Sequence, residues 1–178
     1  MRTKTITVNI YKFDELPDDA KQRAKDRYAE MFGHDRGAEA LKSLRKLAEW
    51  FNGRLSNWEI DWFATSYSSA TFEMPDDMDR KEIKRRLSQL GTFNRRTLKG
   101  NGDCKLTGYC ADEDAIDGFR AAFHAGESNL ETLMQSAFKT WLKAQQADCA
   151  DFYTDERFSE HSDANDWEYD GNGNLVRE

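Results

Sequence analysis

The chain is short of the residues that break helices, bridge strands or bind metals: two prolines, three cysteines and three histidines occur in 178 residues. No apolar run approaches the roughly 18 residues of a membrane span, and the opening "MRTKTITVNIYKF" has no apolar core of the kind a secretory leader carries. The expectation is a protein that works in the cytoplasm without touching a membrane. Cys104, Cys110 and Cys149 include no C-x-x-C pair, so reduced thiols are expected, with a Cys104–Cys110 link left open if the two lie on paired strands. His34, His124 and His161 fall in separate segments with no ligand spacing between them, which removes the usual zinc patterns. G-x-S-x-G, Walker and G-x-G-x-x-G motifs are all missing, so neither a serine hydrolase nor a nucleotide-dependent enzyme has support. No cofactor and no enzymatic activity are expected.

Charge is abundant, with charged residues at 33% and apolar ones at 38%, while aromatics reach 12% with five Trp. Disordered chains are poor in aromatics, so this composition describes a folded protein with a strongly hydrated surface. The net charge of −7 hides a polarity. From Gln146 to Glu178 there are ten acids against two Arg, a net of −8, which leaves the first 145 residues near +1. Within them, Asp79 to Lys105 carries nine Lys or Arg against three acids.

Hydrophobic periodicity orders the chain. Ile6, Val8 and Ile10 alternate with polar residues, a half-buried strand over residues 3–11. "ELPDDAKQRAKDRYAEMF" follows as a helix with a narrow stripe at Leu16, Ala20, Ala24 and Tyr28, and "GHDRG" reads as a break before a second helix whose core face runs from Ala40 to Phe51, with Gly53 as its C′ residue. "NWEIDWF" and "SATFEM" read as paired strands, with Trp58, Ile60 and Trp62 on the core face. A short helix begins at Asp79, and "FNRRTLK" and "CKLTGYC" flank "GNGD" as a hairpin. Ile116, Phe119 and Phe123 mark another helix, and Ser128 with Glu131 opens the longest one, striped by Leu133, Met134, Ala137, Phe138 and Trp141. After Cys149 the pattern fades, until "DWEYDGNGNLV" reads as a short hairpin. The implied fold is α+β: one domain over residues 1–178, an antiparallel sheet of about five to seven strands, four to five helices packed mainly on one face, and an acidic C-terminal extension over 150–178.

Five constellations carry candidate chemistry. Glu59 and Asp61 share a strand face within about 7 Å, as a hydrolase pair would, but a solvated face opposite Trp58 and Trp62 explains them as well. Asp170, Asn172 and Asn174 match the first ligands of a calcium loop, yet Leu175 stands where that loop needs Gly, and a turn is the better account. Cys104 and Cys110 with a distant His would make an unusual zinc site, and Cys149 reads as a packed small residue. The basic segment 80–105 offers Arg85, Arg86, Arg95, Arg96 and Lys99 to nucleic-acid phosphates, with Phe93 for stacking. The acidic end offers Asp151, Asp155, Glu156, Glu160, Asp163, Asp166, Glu168 and Asp170 as a surface that imitates DNA phosphates. Phe152, Tyr153, Phe158, Trp167 and Tyr169 are the anchors that would order it.

"VNIYKFDELPDDAKQRAKDRYAE" resembles the start of a family of small phage and prophage proteins that open with a strand, "YKF.EL" and an "A...A...Y" helix. "SEHSDANDWEYDGNGNLV" resembles that family's closing segment, and weaker likeness runs through "IDWFATSYSSATFEM" and "LTGYCADEDAIDGF"; the middle strand lacks the Gln-Gly-rich turn of the family. Members sometimes carry antitoxin labels and supply no active-site residues to transfer. The resemblance implies a phage protein that binds and inhibits a host protein or ribonucleoprotein complex, as an anti-CRISPR or other anti-defence inhibitor does. The alternative is an antitoxin or nucleic-acid-binding regulator using the basic segment. Neither reading fixes an oligomeric state.

Overall fold

The computed structural model describes residues 9–62, 67–90, 93–94, 99–100, 106–108 and 111–177. In chain order the elements are β1 (Ile10–Tyr11), α1 (Asp18–Trp50), β2 (Arg54–Glu59), β3 (Ser69–Glu73), α2 (Arg80–Gln89), β4 (Phe93–Asn94), β5 (Lys99–Gly100), α3 (Ala111–His124), α4 (Leu130–Phe152), α5 (Asp155–Ala164), β6 (Glu168–Asp170) and β7 (Leu175–Arg177), with a 3-10 turn at Phe13–Glu15. The chain divides into two compact units, residues 1–36 with 149–178 and residues 37–148. No described helix is long and apolar enough to cross a membrane.

The first unit joins the two ends of the sequence. β6 lies between β1 and β7 in a three-stranded antiparallel sheet, with Tyr11 opposite Tyr169. Phe13, Leu16, Ala20 and Ala24 are buried with Phe158 of α5 and Tyr169 of β6. The narrow stripe on the start of α1 is therefore a core face. Gly173, at φ 77 in the turn between β6 and β7, sits so close to α1 that a Cβ there would run into the Ala20 carbonyl.

The second unit packs around α4. Leu133, Met134, Ala137 and Trp141 are fully buried, with Leu44, Leu47 and Phe51 of α1, Ile83 of α2 and Phe119 of α3. The Phe51 and Phe119 rings stack 4.6 Å apart. α3 crosses α4 at Gly118, where a Cβ would lie 2.6 Å from both the Ser136 carbonyl and the Thr140 hydroxyl. Two guanidinium groups finish helix ends. Arg86 donates to the Trp50 carbonyl at 2.8 Å, and Arg80 donates to the Phe123 carbonyl at 2.9 Å.

The architecture is α+β, but among the described residues no sheet reaches five strands. Strand order is β1-β6-β7 in one sheet, β2-β3 in another and the two-residue pair β4-β5 apart from both. The helices consequently have no single sheet face to cover. Residues 3–8 of the expected first strand lie outside the described residues, as do Cys104 and Cys110. Phe93 pairs with Gly100, so "FNRRTLK" is not one continuous strand, and the rest of the expected hairpin around "GNGD" falls largely outside the described residues. Residues 106–108 are not strand: the backbone N–H groups of Thr107 and Gly108 donate to the buried Asp112 carboxylate, each at 2.9 Å, ahead of α3.

Other departures have local causes. "GHDRG" does not break α1, which runs as one helix of 33 residues. Its two helical glycines together cost only about 2 kcal/mol against Ala, less than the buried faces at Ala20 and Ala24 and from Ala40 to Phe51 supply. At its end Asn52, at φ 61, takes the left-handed position expected of Gly53. α4 is capped by Asn129, whose side chain accepts from the Thr132 N–H at 2.9 Å, one residue later than the expected Ser128. Trp58 is 41% exposed, with the Arg45 guanidinium 4.7 Å above its ring, so it is not a core residue; Ile60 and Trp62 do pack on the core.

Gly118→Ala places a methyl group against the α4 backbone. Overpacking of this kind costs about 1–3 kcal/mol. The expected result is a lower urea midpoint for loss of helical circular dichroism, and an unchanged midpoint would show that α3 and α4 can separate freely at that point.

Candidate functional site

The acidic end is folded. α5 begins at Thr154, whose hydroxyl accepts from the Arg157 N–H at 3.4 Å, and Asp155 and Glu156 occupy its first turn, where the helix dipole favours carboxylates. Phe158, Ser159 and Ser162 are its buried face. The Phe158 ring lies 4.8 Å from Phe13 and 5.5 Å from Tyr28. Ser162 and the Tyr169 hydroxyl share a 2.8 Å hydrogen bond, and burial pushes the Tyr169 phenol above its ordinary value.

With that face fixed inward, Glu156, Glu160 and Asp163 recur at i, i+4 and i+7 on the exposed side of α5, and Asp166 follows the helix at φ 54. The eight candidate acids separate into two groups. Asp155 is bound to Lys25 of α1 at 2.6 Å, Arg157 lies 3.5 Å from Asp151 and 3.1 Å from Glu160, and Glu168 is half-buried in β6. Glu156, Asp163 and Asp166 make no side-chain hydrogen bond or ion pair among the described residues and are exposed. These three face solvent, and Glu160 stays exposed beside them although Arg157 reaches it.

Asp170 belongs to the turn. Its Oδ1 accepts the N–H groups of Asn172 and Asn174, both at 2.9 Å, and its Oδ2 accepts the Asn174 side-chain amide at 2.7 Å. These bonds occupy the oxygens that a calcium loop would aim at its ion, and no group of metal ligands occurs among the described residues. The Asn174 side chain first, then the two backbone N–H groups and the charge of Arg27, hold the Asp170 carboxyl below its ordinary range. Alongside lies a cavity of about 500 Å³ lined by Arg27, Tyr28, Met31, Trp167 and Leu175.

The basic candidates are mostly spent on structure. Glu82 accepts from Arg85 at 2.6 and 2.7 Å and from Arg86 at 2.8 Å, and these bonds hold its carboxyl down to about 2. Arg86 also bonds the Asn52 side chain at 3.0 Å. Arg95 and Arg96 lie outside the described residues, and Lys99 is described only as backbone of β5. Glu59 is exposed on β2, whereas Asp61 follows the strand and is held through its backbone by Ser68 and Gln146. His161 is no tail residue: its ring packs 5.0 Å from Trp167 and 5.1 Å from Phe152. His124 is exposed at the end of α3, and Cys149 is half-buried on α4.

Comparison of the chain with protein-family models, with curated proteins and with solved structures finds no match.

The sign of the Asp170 shift sets a pH dependence. A carboxyl whose folded pKa is depressed stabilises the folded state above its unfolded value of 3.8, and the contribution fades as pH falls through the lower folded value. Asp170→Asn should lower the thermal midpoint at neutral pH and flatten the loss of stability below the unfolded value. Near-ultraviolet circular dichroism followed against pH and temperature makes the comparison; identical acid limbs for both proteins would remove the turn from the account.

Proposed function

We propose that this is a phage-encoded, non-enzymatic protein that binds and inhibits a host macromolecule, presenting the exposed acids of α5 to a basic surface that normally holds nucleic acid. The observation that carries the reading is the ordered acidic stripe of Glu156, Glu160 and Asp163 on a helix whose opposite face is buried among aromatics. A floppy acidic tail loses conformational entropy when it binds; a preformed helix has already lost it. Carboxylates fixed at helical spacing also present a defined potential, which accelerates encounter with a cationic partner and discriminates against neutral ones.

The likeness of "VNIYKFDELPDDAKQRAKDRYAE" to small phage proteins supplies the setting, a host cytoplasm in which a defence complex of the CRISPR kind is a natural target. The partner class is a basic host protein or ribonucleoprotein. An antitoxin or regulator acting through Arg85 and Arg86 is the weaker reading, because both side chains are engaged with Glu82. No cofactor enters either reading.

Glu156→Lys, Glu160→Lys and Asp163→Lys combined reverse the stripe without touching the buried face. The triple variant should keep its circular dichroism, fail to capture a defence complex from host lysate, and lose at least about tenfold in its rescue of phage plating on defended cells. If the unaltered protein neither captures such a complex nor rescues plating, the inhibitor reading is wrong. Capture that survives the triple variant would move the contact away from α5.

A further inference from the structure

α2 carries two kinds of cation. On one side Arg85 and Arg86 converge on Glu82 and are neutralised by it. On another, Lys81, Lys84 and Ser88 recur at i, i+3 and i+7, and neither lysine makes a hydrogen bond or ion pair with any described residue. They line a groove of about 770 Å³ together with Arg120 and His124, one turn apart on α3. Leu87 and Phe123 are its apolar lining, and no Asp or Glu among the described residues lines it. Arg120 also lies 3.8 Å from Asp117 on its own helix. Exposed lysines on a solvated helix are commonplace. Cations on both walls of one concavity, with no acid among them, are a phosphate-binding arrangement.

Arg80 adds a feature that a carboxylate ligand would not use. Its Nη1 donates to the carbonyls of Gly126 and Glu127 at 2.9 and 2.8 Å, its Nη2 donates to Phe123, and the guanidinium lies 4.3 Å from the centre of the Phe123 ring. Its edge and one face are fixed, yet the residue remains exposed and lines the groove. A planar cation held rigidly in this way is a platform on which an unpaired base can stack.

We infer that the groove between α2 and α3 binds single-stranded nucleic acid, with Lys81, Lys84 and Arg120 on successive phosphates and Arg80 stacked under a base. The single strand is favoured over a duplex because a paired base cannot leave its stack to lie on the guanidinium, and because the cations converge on one concavity instead of spreading over a wide face. This site belongs to the unit of residues 37–148, whereas α5 belongs to the other, so the two contacts stand or fall separately.

Fluorescence anisotropy of the full chain with a labelled single-stranded oligoadenylate tests it. Three phosphate contacts give a slope of about −2 in log affinity against log salt, hence roughly a twentyfold loss between about 50 and about 200 mM. Lys81→Glu with Lys84→Glu should abolish binding, and the milder Lys81→Ala with Lys84→Ala should weaken it at least about tenfold, both with unchanged circular dichroism. Arg80→Lys keeps the charge but loses the plane, and should weaken the oligonucleotide about tenfold while leaving inorganic polyphosphate nearly unaffected. No binding at low salt, equal affinity for a duplex or for polyglutamate, or binding indifferent to the lysine variants would each overturn the inference.

Discussion

The insertion of Phe158 between Phe13 and Tyr28 is the interaction on which the acidic end depends. That end carries a net charge of −8 and, on charge alone, would remain extended. The magnitudes decide otherwise. Exposed carboxylates repel by about 1 kcal/mol at 4 Å in water, less with salt and distance, and Lys25 and Arg157 remove part of that. Full burial of one aromatic side chain returns about 1.5–3 kcal/mol, and each ring pair adds about 0.5–1.5 kcal/mol. Phe13, Phe158 and Tyr169 are all buried, with Tyr28, Phe152 and Trp167 packed on them, so packing outweighs repulsion. Because the same helix carries Phe158 and the acids, burying one positions the others.

The second unit assigns its charges differently. Arg80 and Arg86 are spent on carbonyls at helix ends, groups that would otherwise need water. Bonds from a charged donor to backbone are stronger than neutral ones, and the fork of a guanidinium meets two or three carbonyls at once. Lysine, a compact cation on a flexible stem, cannot replace that fork. The division of labour on α2 follows from this chemistry: arginines hold the helix in place, while Lys81 and Lys84 stay in solvent.

How much of this the sequence displays depends on whether a feature is local. The stripes on α3 and α4 and the Asp79 cap are written in consecutive turns, and each is where the periodicity puts it. The acidic residues and their aromatic anchors are equally plain in the sequence. α5 is not, because its buried face of Phe158, Ser159 and Ser162 is mostly polar and leaves little hydrophobic period to detect. The alternation at Trp58 misleads because that ring meets an Arg45 guanidinium and stays 41% exposed, a pairing no strand pattern encodes. Register among two- and three-residue strands is set by tertiary contacts, so an expected sheet of five or more strands resolves into small separate pairs and a triplet.

The basic groove shows how a linear charge count differs from the set of cations that share one concavity. The densest cationic run contains Arg85 and Arg86, yet a side chain's availability depends on what lies three or four residues away, and Glu82 lies at both distances. Arg120 and His124 are distant in sequence from Lys81 and sit in a helix that begins with three acids, so no window on the sequence groups them. The near-neutral total of the first 145 residues is therefore a sum over paired charges and a few unpaired ones. If both proposed contacts hold, an acidic helix in one unit and a groove in the other with no described acid in its lining would suit a partner made of both basic protein and exposed nucleic acid, the two chemistries that a ribonucleoprotein combines.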